Sequence, residues 1–194
     1  MVEGVAPDDP LILPRKSLRA YVLHEASQSG FSALFTAPPG SGKSALINLL
    51  LADELKNVPV LRLSGNELIT LRAEALQKKE TPPSPTAYCL RKVMGMAPSY
   101  SPSSLAEAMA IGIPFWIIDE AQYFYSEPEF FTELGKVTRL PTVVVMFASH
   151  TAMVPTRAAS PTSVRKVKST AFCYLLNKTI CHFFIPEPLL CVTS

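Results

Sequence analysis

The stretch Ala37-Pro38-Pro39-Gly40-Ser41-Gly42-Lys43-Ser44 constrains this chain more than any other part of its sequence. It follows a compact apolar run at 31–36 (FSALFT) and precedes 45–56, which is rich in Ala and Leu with polar residues spaced through it. Two prolines and two glycines within five residues stop both neighbours, so the local reading is strand, loop, helix. Small residues let several backbone N–H groups turn inward, and the following helix presents the positive end of its dipole to whatever occupies the bend.

The rest of the chain keeps the alternation. Ser17 is placed to cap a helix whose Leu18, Tyr21, Val22 and Ala26 follow a helical period and stop before Gly30. A strand is expected at 58–63 and a helix at 66–79 with Leu68, Leu71 and Leu76 on one side. Residues 81–104 are Ser/Pro-rich around a helix at 88–96 and read as an insertion; 105–111 is another short helix. The runs 114–119 (PFWIID) and 142–148 (TVVVMFA) are apolar without alternation, as strands covered by helices on both faces are. Between them a helix starts near Glu127, with Pro128 in its first turn, and runs to about 138. A fifth strand is expected at 179–185 (TICHFFI). The expected fold is therefore three-layer α/β, with a mainly parallel sheet of about five strands flanked by helices. Its core spans 1–157, followed by a basic and then apolar segment at 158–194.

Composition narrows the class. Hydrophobic residues make up 48% and charged ones 18%, which excludes a disordered polyelectrolyte. The four cysteines form no C-x-x-C pair, and the gaps in Cys173, Cys181, His182 and Cys191 do not match a zinc site, so reduced thiols are expected. Acids stand where a secretory leader needs cations, and no apolar run approaches the roughly 18 residues of a membrane span. An intracellular, soluble protein of cytoplasm or nucleus is the expectation. Residues 151–194 carry five Lys+Arg against one acid, a motive for nucleic-acid contact, although so small a cluster more often forms a solvated face.

The eight-residue bend fits the phosphate-loop pattern with Ala37 in place of its first Gly. The expected nucleotide-binding set is Ala37, Pro38, Pro39, Gly40, Ser41, Gly42, Lys43, Ser44 and Ala45, with Lys43 reaching the β- and γ-phosphates and the Ser44 hydroxyl on Mg²⁺. Magnesium on a nucleotide also needs a carboxylate at the C-terminal edge of a neighbouring strand, which Asp119 supplies. Glu120 follows directly and is the candidate to activate water.

With these residues in place, APPGSGKS and IIDEAQ resemble the Walker A and Walker B motifs of P-loop NTPases of the additional-strand, catalytic-glutamate division. FWIIDEAQYFY followed by VVVMFASH is similar to the NTPase domains of crinkler-type effectors, a likeness covering about residues 12–150. The resemblance implies that TVVVMFA lies between the first and third strands, that Ser149 (or His150) faces the γ-phosphate as a sensor, and that ATP is the nucleotide. Phosphoryl transfer also calls for a cation at the γ-phosphate, for which Arg139 and Arg157, each more often an ordinary surface arginine, a protein partner or self-association are the candidates. Three functions remain open at this point: a Mg²⁺-dependent ATPase, a nucleotide-responsive switch with little hydrolysis, and a fragment of a helicase-like nucleic-acid translocase. A complete helicase is not expected, since it needs a second lobe and only 44 residues follow His150.

Overall fold

The computed structural model describes residues 15–28, 32–136, 142–149 and 165–166. In chain order its elements are α1 (Lys16–Gln28), β1 (Ser32–Ala37), α2 (Lys43–Ala52), β2 (Val60–Ser64), α3 (Gly65–Gln77), α4 (Pro85–Met96), α5 (Leu105–Ala110), β3 (Phe115–Asp119), a 3₁₀ turn (Ala121–Phe124), α6 (Pro128–Lys136), β4 (Val143–Ser149) and β5 (Arg165–Lys166). The strands form one sheet in the order β2-β3-β4-β1-β5, every pairing parallel. β4 therefore sits between β1 and β3, where the resemblance puts it. The strand expected at 179–185 lies outside the described residues; the fifth strand seen is the two-residue β5 beside β1.

Unbroken apolarity in β3 and β4 has a direct structural cause. Along a strand, side chains alternate between faces, so a strand sandwiched between helix layers must be apolar at every position. Trp116, Ile118, Val144, Met146 and Ala148 join a core with Leu68, Tyr88, Val93, Leu105, Phe124 and Phe130, which come from α3, α4, α5, the 3₁₀ turn and α6. Ile117, Val145 and Phe147 point the other way, into a core with Leu18, Val22, Leu46 and Leu50 of α1 and α2. This makes three layers, helices–sheet–helices, with hydrophobic burial on both sides of the sheet.

Local chemistry sets the element ends. Ser64, Ser84 and Ser104 each accept a hydrogen bond from the third amide of α3, α4 and α5 respectively, satisfying donors that a helix start leaves unpaired. The Ser/Pro-rich stretch 81–104 contains α4, whose Tyr88, Cys89 and Val93 are buried in the first core. In α3, Leu68 is buried and Leu71 packs partly against the core, whereas Leu76 is 65% exposed. At about 100° per residue, position 75 returns to within about 20° of Leu68 and position 76 overshoots by about 80°; Ala75 accordingly takes the inward place. No helix among the described residues is long and apolar enough to cross a membrane.

Phe35 concentrates the packing under β1: its ring stacks on Phe147 at 5.5 Å and meets Tyr21 edge-on at 6.3 Å. Phe35→Ala removes both contacts and leaves a cavity between sheet and helices. The expected loss is about 3–5 kcal/mol of unfolding free energy, read as a lower urea midpoint. A midpoint equal to the parent's would contradict the stated packing.

Candidate functional site

Strand parity gathers the polar residues at one place. Ala33, Phe35 and Ala37 of β1 face the α1/α2 core, and so, two residues beyond Ile117 and Phe147, do Asp119 of β3 and Ser149 of β4. Leu61 and Leu63 of β2 face the opposite core, which turns Arg62 toward α2. All lie at or near the C-terminal ends of parallel strands, where β1 gives way to the loop; Ala37 pairs with Ser149 and Ser64 with Asp119 in the sheet register.

The loop between β1 and α2 has Gly40 and Gly42 in the left-handed region, at φ 73° and 79°, which glycine occupies at no steric cost. A Cβ at Gly42 would also lie 2.7 Å from the Arg15 guanidinium. Arg15 donates from Nη1 to the carbonyl oxygens of Ser41 (3.3 Å) and Gly42 (3.0 Å). Arg15, the residue ahead of α1, is thereby tied to the loop. Gly42 caps α2 without any side-chain hydrogen bond, and the buried Ser41 hydroxyl has no partner among the described residues. Donors at this helix start are therefore unspent. Pro38, Pro39 and Gly40 are exposed at the rim, while Ala45 is buried in the first turn of α2.

Lys43 is only 4% exposed. Its ammonium donates to the carbonyls of Ala37 (3.4 Å) and Pro38 (3.2 Å) and to Ser149 Oγ (3.1 Å). The Ser149 hydroxyl in turn donates to Glu120 Oε2 at 3.3 Å. Glu120 itself holds a left-handed backbone, φ 50° and ψ 49°, an uncommon conformation for a residue with a Cβ and of a kind that clusters at functional sites.

Asp119 is fully buried. Its Oδ1 accepts from the Glu120 N–H at 3.0 Å. Its Oδ2 has no hydrogen-bond partner among the described residues, and Arg62 Nη2 stands 3.7 Å away. Burial pushes the Asp119 carboxyl above its ordinary range, opposed by a hydrogen bond from the Ser44 side chain and by the charge of Arg62. Arg62 also donates to Asn48 Oδ1 of α2 at 2.9 Å. An orphaned carboxylate oxygen next to a hydroxyl is a hard-oxygen donor set of the kind that Mg²⁺ uses together with substrate phosphates. Among the described residues no three His, Cys, Asp or Glu side chains cluster as a metal cage would require.

The structure thus brings together Lys43, Ser44, Asp119, Glu120 and Ser149 from the loop, α2 and two strand ends. His150, Arg139 and Arg157 lie outside the described residues. Three participants escaped sequence reading. Arg62 carried a signal, a lone cation inside the apolar run 60–63 (VLRL). Gln122, described below, stands in the acidic motif itself, and Arg15 carried none that separates it from an ordinary surface cation.

No protein-family model matches the chain, and a search of curated proteins finds no match. Solved structures similar in fold include a chain of the Drosophila ORC bound to DNA, at 15% identity and a TM-score of 0.45, covering 79% of this chain and 90% of that one. A DNA replication initiation factor aligns at 11% identity and 0.44, covering 94% of this chain and 56% of the other. Domain III of the Thermotoga maritima replication initiation protein DnaA aligns at 12% and 0.41, covering 94% and 76%.

Asp119→Asn is expected to stabilise the fold at pH 7 by about 1 kcal/mol, because it removes a buried, incompletely paired charge. A carboxyl with a raised value binds its proton more readily in the folded than in the unfolded chain. The parent therefore gains stability as pH falls through the raised value, and the gain is complete below the ordinary 3.8. The advantage of the variant should shrink over that interval in thermal melts. A variant less stable than the parent at pH 7 would mean that Ser44 and Arg62 outweigh burial.

Proposed function

We propose that this domain binds ATP with Mg²⁺ and hydrolyses it. The observation that carries the reading is the convergence at one sheet edge of a left-handed glycine loop, an uncapped helix start, a buried lysine, and the neighbouring Ser44 and Asp119. The amides that open α2 suit phosphate oxygens, which the helix dipole also favours; the Ser41 N–H donates to the Pro38 carbonyl at 3.3 Å. Lys43, now turned to Ala37, Pro38 and Ser149, is the mobile cation that follows the β- and γ-phosphates. Ser44 and Asp119 are the residues that would hold Mg²⁺; when bound, the ion supplies positive charge to the phosphate oxygens.

Glu120 is the group that takes the proton of the attacking water, and Ser149 is the sensor that orients it against the γ-phosphate. Glu120 and Ser149 are hydrogen-bonded to each other, which supports their acting together at one position. Arg15 and Arg62 are engaged by the loop carbonyls and by Asp119 with Asn48. The cation that neutralises the transferred phosphoryl group is accordingly assigned to Arg139, Arg157 or an arginine of a partner protein or second copy. Adenine as the base rests on the resemblance of the two motifs to additional-strand NTPases.

Two substitutions separate binding from chemistry. Lys43→Ala should weaken binding of a fluorescent ATP analogue at least about 100-fold, the loss of a buried charge-assisted contact. Glu120→Gln should keep affinity within about twofold and lower phosphate release about 100-fold or more, the scale of general-base catalysis. Turnover by both variants at the parent's rate would end the proposal.

A further inference from the structure

The reading of Glu120 as general base leaves one side chain of the same motif unexplained. Gln122 lies in the 3₁₀ turn that follows β3, and its carboxamide is used at both ends. Its Nε2 donates to Glu120 Oε2, and its Oε1 accepts the Ser149 N–H at 3.1 Å. With the Ser149 hydroxyl also donating to Glu120 Oε2 at 3.3 Å, three hydrogen bonds close a ring through Glu120, Gln122 and Ser149. Lys43 joins that ring at Ser149 Oγ, 3.1 Å away.

We infer that Gln122 is a positioning residue: its carboxamide locks the Glu120 carboxylate to the end of β4, so that the base and Ser149 hold one fixed relation. The inference rests on the hydrolytic reading for its consequence, but the ring itself is made by groups of this chain alone. These two bonds need a donor and an acceptor on one side chain of this length; a carboxylate only accepts, an ammonium only donates, and a thioether is at best a weak acceptor. The backbone of the turn is held independently. A Cβ on Gly65 would overlap the Glu120 carbonyl oxygen and come within 2.8 Å of the Tyr123 ring, so the start of α3 lies hard against the turn. With the backbone fixed from that side, side-chain aim is the freedom left to Glu120, and Gln122 removes it. Capture of Lys43 by a phosphate would withdraw a donor from Ser149, so occupancy of the loop reaches Glu120 through this ring.

The test compares the full-length parent with Gln122→Met, close in length without a hydrogen-bonding amide, and with Gln122→Glu, which keeps an acceptor for the Ser149 N–H but sets a like charge beside Glu120. In nucleotide-free protein, amide hydrogen exchange at Ser149 should be about tenfold faster in Gln122→Met and near the parent's rate in Gln122→Glu. With MgATP both variants should lose about 10- to 100-fold in kcat, with ATP affinity within about twofold of the parent's. Parent-like exchange at Ser149 in Gln122→Met overturns the inference whatever the turnover. Faster exchange with undiminished kcat overturns the positioning role. If the parent itself releases no phosphate, the hydrolytic reading fails, and Ser149 exchange alone decides for or against the ring. Should Gln122→Met not fold, a parent-like kcat in Gln122→Glu overturns the inference and a loss of kcat at retained affinity supports it.

Discussion

Two central strands with no polar residue before their last position govern everything else in this fold. β3 and β4 are buried on both faces, Trp116 and Ile118 against one helix layer and Ile117, Val145 and Phe147 against the other. Parallel pairing follows, because helices returning on both sides carry the chain back to the same edge each time. Polar side chains are then tolerated only where the strands end. Asp119 and Ser149 occupy the last position of β3 and β4, so the chemistry of this protein is placed by the limit of its hydrophobic core.

That placement sets competing demands on the same residues. Asp119 and Lys43 are charged and almost entirely enclosed, and Asp119 keeps one oxygen without a hydrogen-bond partner among the described residues. Glu120 holds a backbone conformation that side-chain sterics disfavour. Each feature costs stability, and each is carried by two cores that bury most of the large apolar side chains on either side of the sheet. Arg62 and Arg15 moderate the balance differently: one offers charge to an enclosed carboxylate, the other binds two of the loop's carbonyls at the foot of α1.

Much of this was legible in the sequence because the signals were local. The strand, bend and helix around Gly40 to Ser44, the strand ending at Asp119, and the central place of TVVVMFA each rest on a few consecutive residues or on a motif. What was illegible depended on contacts distant in sequence. Arg15 reaches the loop across 26 and 27 positions, and Gln122 meets Ser149 across 27. The inward face of α3 was assigned by leucine identity and so included Leu76, whereas helical phase selects Ala75. A small residue sits there against the core, and no hydrophobicity count singles it out. Stretch 81–104 looked peripheral by its serines and prolines, yet its α4 supplies Tyr88, Cys89 and Val93 to the interior.

The absence of a side chain at Gly65 has a mechanical consequence. Because backbone meets backbone there, with Glu120's carbonyl and Tyr123 occupying the space a Cβ would need, the acidic turn and α3 behave as meshed gears without play. Tyr88 extends the linkage outward, since its phenol accepts the Ser64 N–H at 3.1 Å and donates to Glu67 at 2.8 Å. The turn that carries Glu120 is thereby linked through packed contacts to the surface between α3 and α4, where Glu67 also pairs with Lys92.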